Sequence, residues 1–257
     1  MYEQILYDVT ENVATITFNR PQTKNGLTSQ MRREIIDAVA KAEGEARVLV
    51  FTGAEGAFCS GQDLSDTKHP SEIDFEAVLR DEYEPMLNAI YNCKLPTVAA
   101  VNGPAAGAGA NLALAADIVI ATESAVFIQA FARIGLLPDA GGTYWLPRQM
   151  GFSKAMGAAL LAEPITAKQA DDWGMIWASF PDDAFTAEQN RIAQKLANGP
   201  TLAYRHIKEA LRGSYDKSLN EQLAVEAKAQ GVLGQSADFL EGVIAFLQKR
   251  IPNYQGK

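Results

Sequence analysis

Apolar residues fall at every second position over residues 5–9 and again over 13–18, with Glu11 and Asn12 between the two runs. That period puts one side of each segment into a core, so the pair predicts a β-hairpin turning at Glu11-Asn12. The period then changes. Met31, Ile35, Ile36 and Val39 recur at helical steps behind Thr28, whose hydroxyl can cap a helix reaching about Glu43. The run 47–52, closed by Gly53, reads as a buried strand, and a Gly- and Ser-containing loop follows over 54–70. Residues 75–92 predict a helix and 97–101 another buried strand. A small-residue turn over 102–111 then feeds an apolar helix ending near Ala116, with a strand at 117–121. Repeated strand–turn–helix passages are the pattern of an α/β domain. Beyond Gly141, spacing over 152–161, 167–173, 184–197, 201–211, 219–233 and 237–248 predicts an almost wholly helical remainder. No linker parts two independent domains. The expected organisation is an α/β core over 1–195 and a C-terminal helical subdomain over 196–257.

Composition narrows the function class. A chain of 257 residues with 47 % apolar side chains can bury a sizeable core. Lys and Arg total 23 against 31 Asp and Glu, a net charge of −8. That excludes a general binder of nucleic acid or anionic membrane, while leaving room for a local basic patch. Two cysteines, Cys59 and Cys93, exclude a disulfide framework and fit a reducing compartment. The N-terminal run carries acids and no basic start, so no signal peptide is expected and a cytoplasmic location is predicted. The most apolar stretch, 104–121, is interrupted by Asn111 and Asp117, which predicts a buried segment rather than a membrane span.

Two standard catalytic motifs are missing: there is no Gly-x-Ser-x-Gly elbow and no phosphate loop ending in Gly-Lys-Ser/Thr. The two histidines, His69 and His206, cannot make a His-rich metal site. Two loops remain, each after a buried strand. One is Ala57-Phe58-Cys59-Ser60-Gly61-Gln62-Asp63-Leu64; the other is the small-residue turn ending at Asn111. Small residues let a backbone approach a ligand, and free N–H groups at a helix start can donate to a developing oxyanion. The same residues also serve tight helix–strand packing, and spacing leaves both readings open.

Phe58-Cys59-Ser60-Gly61-Gln62-Asp63-Leu64, Asn102-Gly103-x-Ala105-Ala106-Gly107-Ala108-Gly109 and Pro138-Asp139-Ala140-Gly141-Gly142-Thr143 resemble three signatures of the crotonase superfamily, the enoyl-CoA hydratase/isomerase family. The likeness extends to Ala245-Phe246-Leu247-Gln248-Lys249-Arg250 near the end. It implies a spiral of β-β-α repeats followed by a helical trimerisation region. It implies an acyl-CoA substrate, no cofactor beyond the coenzyme A of the substrate, no metal, and a homotrimer or dimer of trimers. The backbone N–H groups of Gln62 and Ala108 become the oxyanion hole for the thioester carbonyl. Gly-Gln-Asp-Leu, Ala-Gly-Ala-Gly-Ala, Gly174-Met175-Ile176-Trp177 and Asp139 most resemble the branch that isomerises ring-1,2-epoxyphenylacetyl-CoA to oxepin-CoA.

Family hydratases carry two glutamates over the acyl chain. Their positions here are filled by Asn111 and Phe131, neither of which is a base, and both are expected in the substrate pocket. The acid of several family isomerases is present as Asp139. One carboxylate suits moving a proton between carbons better than adding water, and a pocket walled by Phe131, Leu136 and Leu137 should desolvate it and raise its pKa. Read without the resemblance, Pro138-Asp139 followed by Gly141 is ordinary turn chemistry. Arg20 and Lys24 resemble the family's first CoA-contacting loop, and Lys249 and Arg250 its C-terminal counterpart. Ser60, Asp63 and Leu64 complete the expected CoA-binding set. Two alternatives stand beside this reading: a Δ3-Δ2 or dienoyl-CoA isomerase using the same Asp139, and a crotonase-fold binding protein without catalysis.

Overall fold

Glu11 and Asn12 adopt φ values of 50° and 63°, the left-handed backbone that a tight two-residue hairpin needs. They let β1 (Ile5–Thr10) fold back antiparallel on β2 (Val13–Phe18), with Ile5 opposite Phe18. The computed structural model describes residues 2–64 and 73–257; the end of the 54–70 loop, His69 included, lies outside the described residues. Thr28 accepts from the Met31 N–H at 3.1 Å and so caps α1 (Ser29–Glu45), whose Met31, Ile35, Ala38 and Val39 enter the main core.

Then come β3 (Val48–Gly53), α2 (Phe75–Val78) and α3 (Glu84–Tyr91). The periodicity predicts one helix from 75 to 92; the structure inserts a π turn at Leu79–Tyr83 between α2 and α3. Such turns widen a helix by one residue and recur at functional sites. Next are β4 (Thr97–Val101), β5 (Ala105–Ala106), α4 (Ala108–Leu114), β6 (Ile118–Thr122) and β7 (Val126–Ile128). The second half holds α5 (Gly142–Leu161), broken at Gly151 (φ 77°), β8 (Ile165–Thr166), α6 (Ala167–Asp172) and β9 (Ala178–Phe180). Four helices close the chain: α7 (Phe185–Ala197), α8 (Thr201–Arg212), α9 (Leu219–Leu233) and α10 (Ala237–Gln248).

Among the described residues the strands form two sheets. One has six strands in the order β1-β2-β3-β4-β6-β9 and the other has β5-β7-β8. From β2 onward the large sheet is parallel. Single parallel bridges, Leu27 to Gln62 and Cys59 to Ala105, extend the small sheet. After β3, β4 and β6 in turn, the chain leaves the large sheet, makes a short pairing in the small one and goes on to helical segments. That is the expected β-β-α spiral. Beyond Gly141 the chain is almost wholly helical, as expected, with two short strands the spacing does not show: β8 pairs with β7, and β9 with β6.

The core lies between the two sheets and α1, while α7 seals the other face of the large sheet. Phe185, Ile192, Ala193 and Ala197 of α7 pack on Val48, Val50, Val98, Ala100 and Ile120. Each large side chain so covered stabilises the fold by about 1.5–3 kcal/mol. Asp117 ties α8 to this core: Lys208 and Arg212 each reach its carboxylate at 2.7 Å, and it accepts from the Thr97 N–H. Among the described residues, no helix is long and apolar enough to cross a membrane.

Candidate active site

Both sequence-predicted loops leave the C-terminal ends of neighbouring parallel strands, β3 and β4, and the bridge from Cys59 to Ala105 lays them side by side. Gly61 (φ 92°) shows how close they come. A Cβ built there would lie 2.8 Å from the Ala106 carbonyl oxygen and 3.3 Å from the Ala108 nitrogen. Gly107 (φ 51°, ψ −127°) supplies a backbone conformation open essentially to glycine and turns the chain into α4. Ala108 is the first residue of that helix, so its N–H has no intrahelical acceptor. The Gln62 N–H makes no backbone hydrogen bond among the described residues, whereas both flanking contacts are made: Leu27 N–H to Gly61 O at 2.8 Å and Asp63 N–H to Leu27 O at 3.0 Å. Two main-chain donors from two loops therefore border one cavity of about 250 Å³.

Phe131, Tyr83 and Leu79 form apolar walls of that cavity, and Ser60 and Leu64 also border it. Phe131 is buried, its ring edge 3.7 Å from where a Gly107 Cβ would sit. Asp139 is the one carboxylate on the wall among the described residues. Its Oδ1 is buried with no hydrogen-bond partner. Loss of water around the carboxylate pushes its pKa up to about 6. The turn beneath it is fixed: its carbonyl accepts from the Gly142 N–H at 2.8 Å and from Asn111 Nδ2 at 2.7 Å. Ala140 and Gly141 complete the turn with φ values of 47° and 81°. The arrangement can hold a developing oxyanion on two N–H groups while one basic carboxylate moves a proton nearby.

Several roles expected from the sequence need correction on geometry, for the residues concerned are taken up by other contacts. Asn111 is not on the cavity wall. It is fully buried, donating to the Asp139 carbonyl and accepting from Gln129 Nε2 at 2.8 Å. Arg20 and Asp63, both expected to contact coenzyme A, are engaged with each other at 2.6 Å, and the same Arg20 nitrogen donates to the Gly26 carbonyl at 2.6 Å. The pair ties the 20–26 loop to the 60–64 loop, as do the bonds from Ser60 N–H to Lys24 O and from Ser60 Oγ to Thr23 O. Lys24 is exposed beside Ser60, with no ion pair among the described residues. Arg250 is spent on a two-bond pair with Glu241 at 2.6 and 2.8 Å. Neither Lys249 nor Arg250 borders the cavity, and Arg47, ahead of β3, holds the Tyr254 carbonyl of the tail at the end of that strand away from the site.

Sequence reasoning misses Arg32, Glu82 and Tyr83. Arg32 is 1 % exposed on the buried stripe of α1. It donates to Gln62 Oε1 at 2.8 Å, and the Tyr83 hydroxyl donates to the same oxygen at 2.7 Å. Burial raises the Tyr83 pKa further above its ordinary value. Burial works against the Glu82 charge, but bonds from Arg32 and Ser29 outweigh it and hold that carboxyl below the usual glutamate range. The signal in the chain is a charged residue in register with Ile35 and Val39 on an otherwise apolar helical stripe. Among the described residues, no group of His, Cys, Asp and Glu is placed to hold a metal.

The enoyl-CoA hydratase/isomerase family model matches residues 8–257. The "probable enoyl-CoA hydratase" of Rhodobacter capsulatus is 54 % identical over 256 residues, covering 100 % of this chain and 99 % of that protein. The 1,2-epoxyphenylacetyl-CoA isomerase of Escherichia coli is 41 % identical over 262 residues, covering both chains completely at 100 %. The crystal structure of an enoyl-CoA hydratase from Bacillus anthracis superposes with a TM-score of 0.92 at 30 % identity, covering 99 % of this chain and 100 % of that one. With its β-β-α spiral and full-length likeness to these relatives, the chain belongs to the enoyl-CoA hydratase/isomerase family, the crotonase superfamily, and is an enzyme of that family.

Proposed function

We propose that the protein is an acyl-CoA isomerase whose single base is Asp139, with ring-1,2-epoxyphenylacetyl-CoA as substrate and oxepin-CoA as product. One observation carries the reading: among the described residues, Asp139 is the only acid bordering the cavity onto which the two loop N–H groups open. The thioester oxygen sits on the Gln62 and Ala108 N–H groups. The arene epoxide expands to the seven-membered oxepin by breaking the carbon–carbon bond between its two epoxide carbons as the ring double bonds shift. Asp139 takes the proton from the carbon beside the thioester, the enolate charge collects on the held oxygen, and the carboxyl returns that proton to a ring carbon as the double bonds move along. Atoms and charge balance without water or a cofactor. A pKa of about 6 leaves Asp139 ionised at pH 7 yet more basic than a solvated aspartate.

The isomerase reading is preferred to a hydratase because Phe131 places a phenyl ring where the family's second acid stands, and Asn111 is consumed by the Asp139 turn. The 41 % identity to the E. coli 1,2-epoxyphenylacetyl-CoA isomerase supports the aryl substrate, and the more similar relative from R. capsulatus carries a hydratase name. The protein is read as a homo-oligomer in multiples of three, acting in a reducing cytoplasm. The decisive experiment supplies three substrates in parallel: ring-1,2-epoxyphenylacetyl-CoA, a linear 3-enoyl-CoA and crotonyl-CoA, with products followed by mass spectrometry. Conversion of the aryl epoxide without a mass change is expected. Faster turnover of the linear 3-enoyl-CoA reassigns the substrate, and hydration of crotonyl-CoA at a comparable rate refutes the isomerase reading.

A further inference from the structure

We propose that Arg32 is a positioning residue for the oxyanion hole, holding the Gln62 N–H in line with that of Ala108 by clamping the peptide around Gln62 from behind. The proposal rests on the oxyanion-hole reading above and adds to it a residue outside the three sequence signatures.

The guanidinium is inaccessible to solvent, and all five of its N–H donors are used. Nε and NH2 donate to Glu82 Oε2 at 3.0 and 2.6 Å, NH2 also to Ser29 Oγ at 3.3 Å, and NH1 to Leu27 O at 3.2 Å and Gln62 Oε1 at 2.8 Å. The two NH1 contacts reach the Gln62 side chain and the Leu27 carbonyl, whose own residue holds the 61–63 backbone through the Leu27 N–H to Gly61 O and the Asp63 N–H to Leu27 O. Gln62 Oε1 also accepts from the Tyr83 hydroxyl at 2.7 Å, so both its lone pairs are filled and the Gln62 side chain is fixed. Leu27 O also accepts the Asp63 N–H at 3.0 Å, so the residue after Gln62 hangs on the same carbonyl. Arg32 thereby joins three walls: the start of α1, the 60–64 loop and the π turn that carries Tyr83. Its guanidinium lies 4.5 Å from the Tyr83 ring centroid.

A buried charge on an apolar stripe is an expensive way to stabilise a helix, since apolar replacements of such groups are often neutral or better for stability. The planar five-donor fork does something an apolar side chain cannot: it fixes several acceptors at set angles. A donor displaced by about 1 Å loses much of its effect on rate. Arg32 is thus placed to act on the developing oxyanion through Gln62, without touching substrate.

The test uses the full-length protein and cinnamoyl-CoA, a conjugated thioester whose absorption moves to longer wavelength when its carbonyl is polarised. The variants are Gln62→Ala, which removes the clamped acceptor and keeps the Arg32–Glu82 pair, and Arg32→Met with Glu82→Gln, which removes the charge pair together. Each is expected to lose about 10- to 100-fold in kcat for isomerisation of whichever of the three substrates above the wild-type protein turns over fastest. KM should stay within about threefold, because the lost interaction belongs to the transition state. The red shift of bound cinnamoyl-CoA should shrink in parallel. Combining all three substitutions should cost no more than the worse of the two variants, the mark of one coupled unit. Arg32→Lys should recover part of the shift. Folded variants that keep the wild-type shift and kcat while only melting earlier overturn the proposal. If the wild-type protein itself gives no red shift, the oxyanion-hole reading fails, and the clamp with it.

Discussion

Replacing Asp139 by Asn should make the protein more stable at pH 8 and nearly inactive, and the two effects share one cause. The carboxylate has an unpartnered, buried oxygen, and desolvation raises its pKa from 3.8 to about 6. One pKa unit corresponds to about 1.4 kcal/mol, so the ceiling on the folding penalty is about 3 kcal/mol. The carboxylate is partly reached by solvent, which reduces the usable figure to about 1–2 kcal/mol. Because the folded pKa lies above the unfolded one, there is no penalty below about pH 4, where both states hold the proton. It grows as pH rises through about 6 and is complete by pH 8. At pH 4 the folded-state carboxyl is neutral and resembles the amide, so the Asn-minus-Asp difference there carries only a small part of the charge effect. That difference should shift in favour of Asn by about 1–2 kcal/mol between pH 4 and pH 8. For a chain of this length that is about 2–8 °C of melting temperature. Thermal unfolding at matched protein concentration, on both proteins at both pH values, measures it, and kcat should fall by about 10²–10⁴. A flat or opposite pH trend would mean that the carboxylate is held by a stabilising partner and serves the turn. Retention of more than about a tenth of the turnover would remove Asp139 as the base.

Three further outcomes follow from the same geometry. Since the base must be ionised, kcat/KM should drop about tenfold per pH unit below the Asp139 pKa of about 6 and be level from 7 to 8; a profile flat to pH 5 contradicts the assignment. Asn111→Ala strands Gln129 and takes one donor from the Asp139 carbonyl, so it should cost about 1–3 kcal/mol in urea unfolding and lower kcat less than Asp139→Asn does; unchanged stability would contradict the buried bonding. On α10, Phe246 is 82 % and Leu247 73 % exposed, which suits an interface between copies; light scattering should give a multiple of three protomers, Phe246→Glu should shift it toward monomer, and a wild-type monomer at micromolar concentration refutes the assembly.

What can be read from the chain depends on range. β1, β2, α1, β3 and β4 have periods long enough to declare themselves, and the Glu11-Asn12 hairpin follows from two residues that tolerate positive φ. The small sheet cannot be read. β5 and β8 have two residues each and β7 has three, too short for any alternation, and they exist because neighbouring turns of the spiral pair them. The break at Leu79–Tyr83 leaves the helical spacing around it almost intact, so the spacing alone supports a single helix. At the site, resemblance is what singles out the two loops and Asp139, and the fold brings Gln62, Ala108 and Asp139 to one cavity, where the proposed chemistry uses main-chain donors and one acid. The charges are harder to read, because their partners come from elsewhere in the chain. Arg20 looks available until the fold brings Asp63 to it across 43 positions, and Arg250 until α10 presents Glu241. Position alone puts Asn111 in the pocket, but its amide is occupied from two directions.

Two charged groups near the cavity are treated in opposite ways, and the contrast separates reactivity from position. Arg32 has every donor satisfied and is sealed from water, so nothing remains with which it could react. Asp139 is given a rigid backbone by Asn111 and Gly142, while its carboxylate receives no hydrogen bond among the described residues. A donor aimed at that carboxylate would steady it and lower its pKa, and with it its strength as a base. The fold supports the carbonyl of Asp139 instead, so the proposed base is fixed in place and its carboxylate is left without a donor among the described residues. The same division holds for the proposed oxyanion loop: the Gln62 Oε1 accepts from Arg32 and Tyr83, while the N–H of the same residue makes no backbone hydrogen bond among the described residues. In each case the restraint falls on the part of the residue that does no chemistry, which is how a cavity can be rigid and still hold unspent groups.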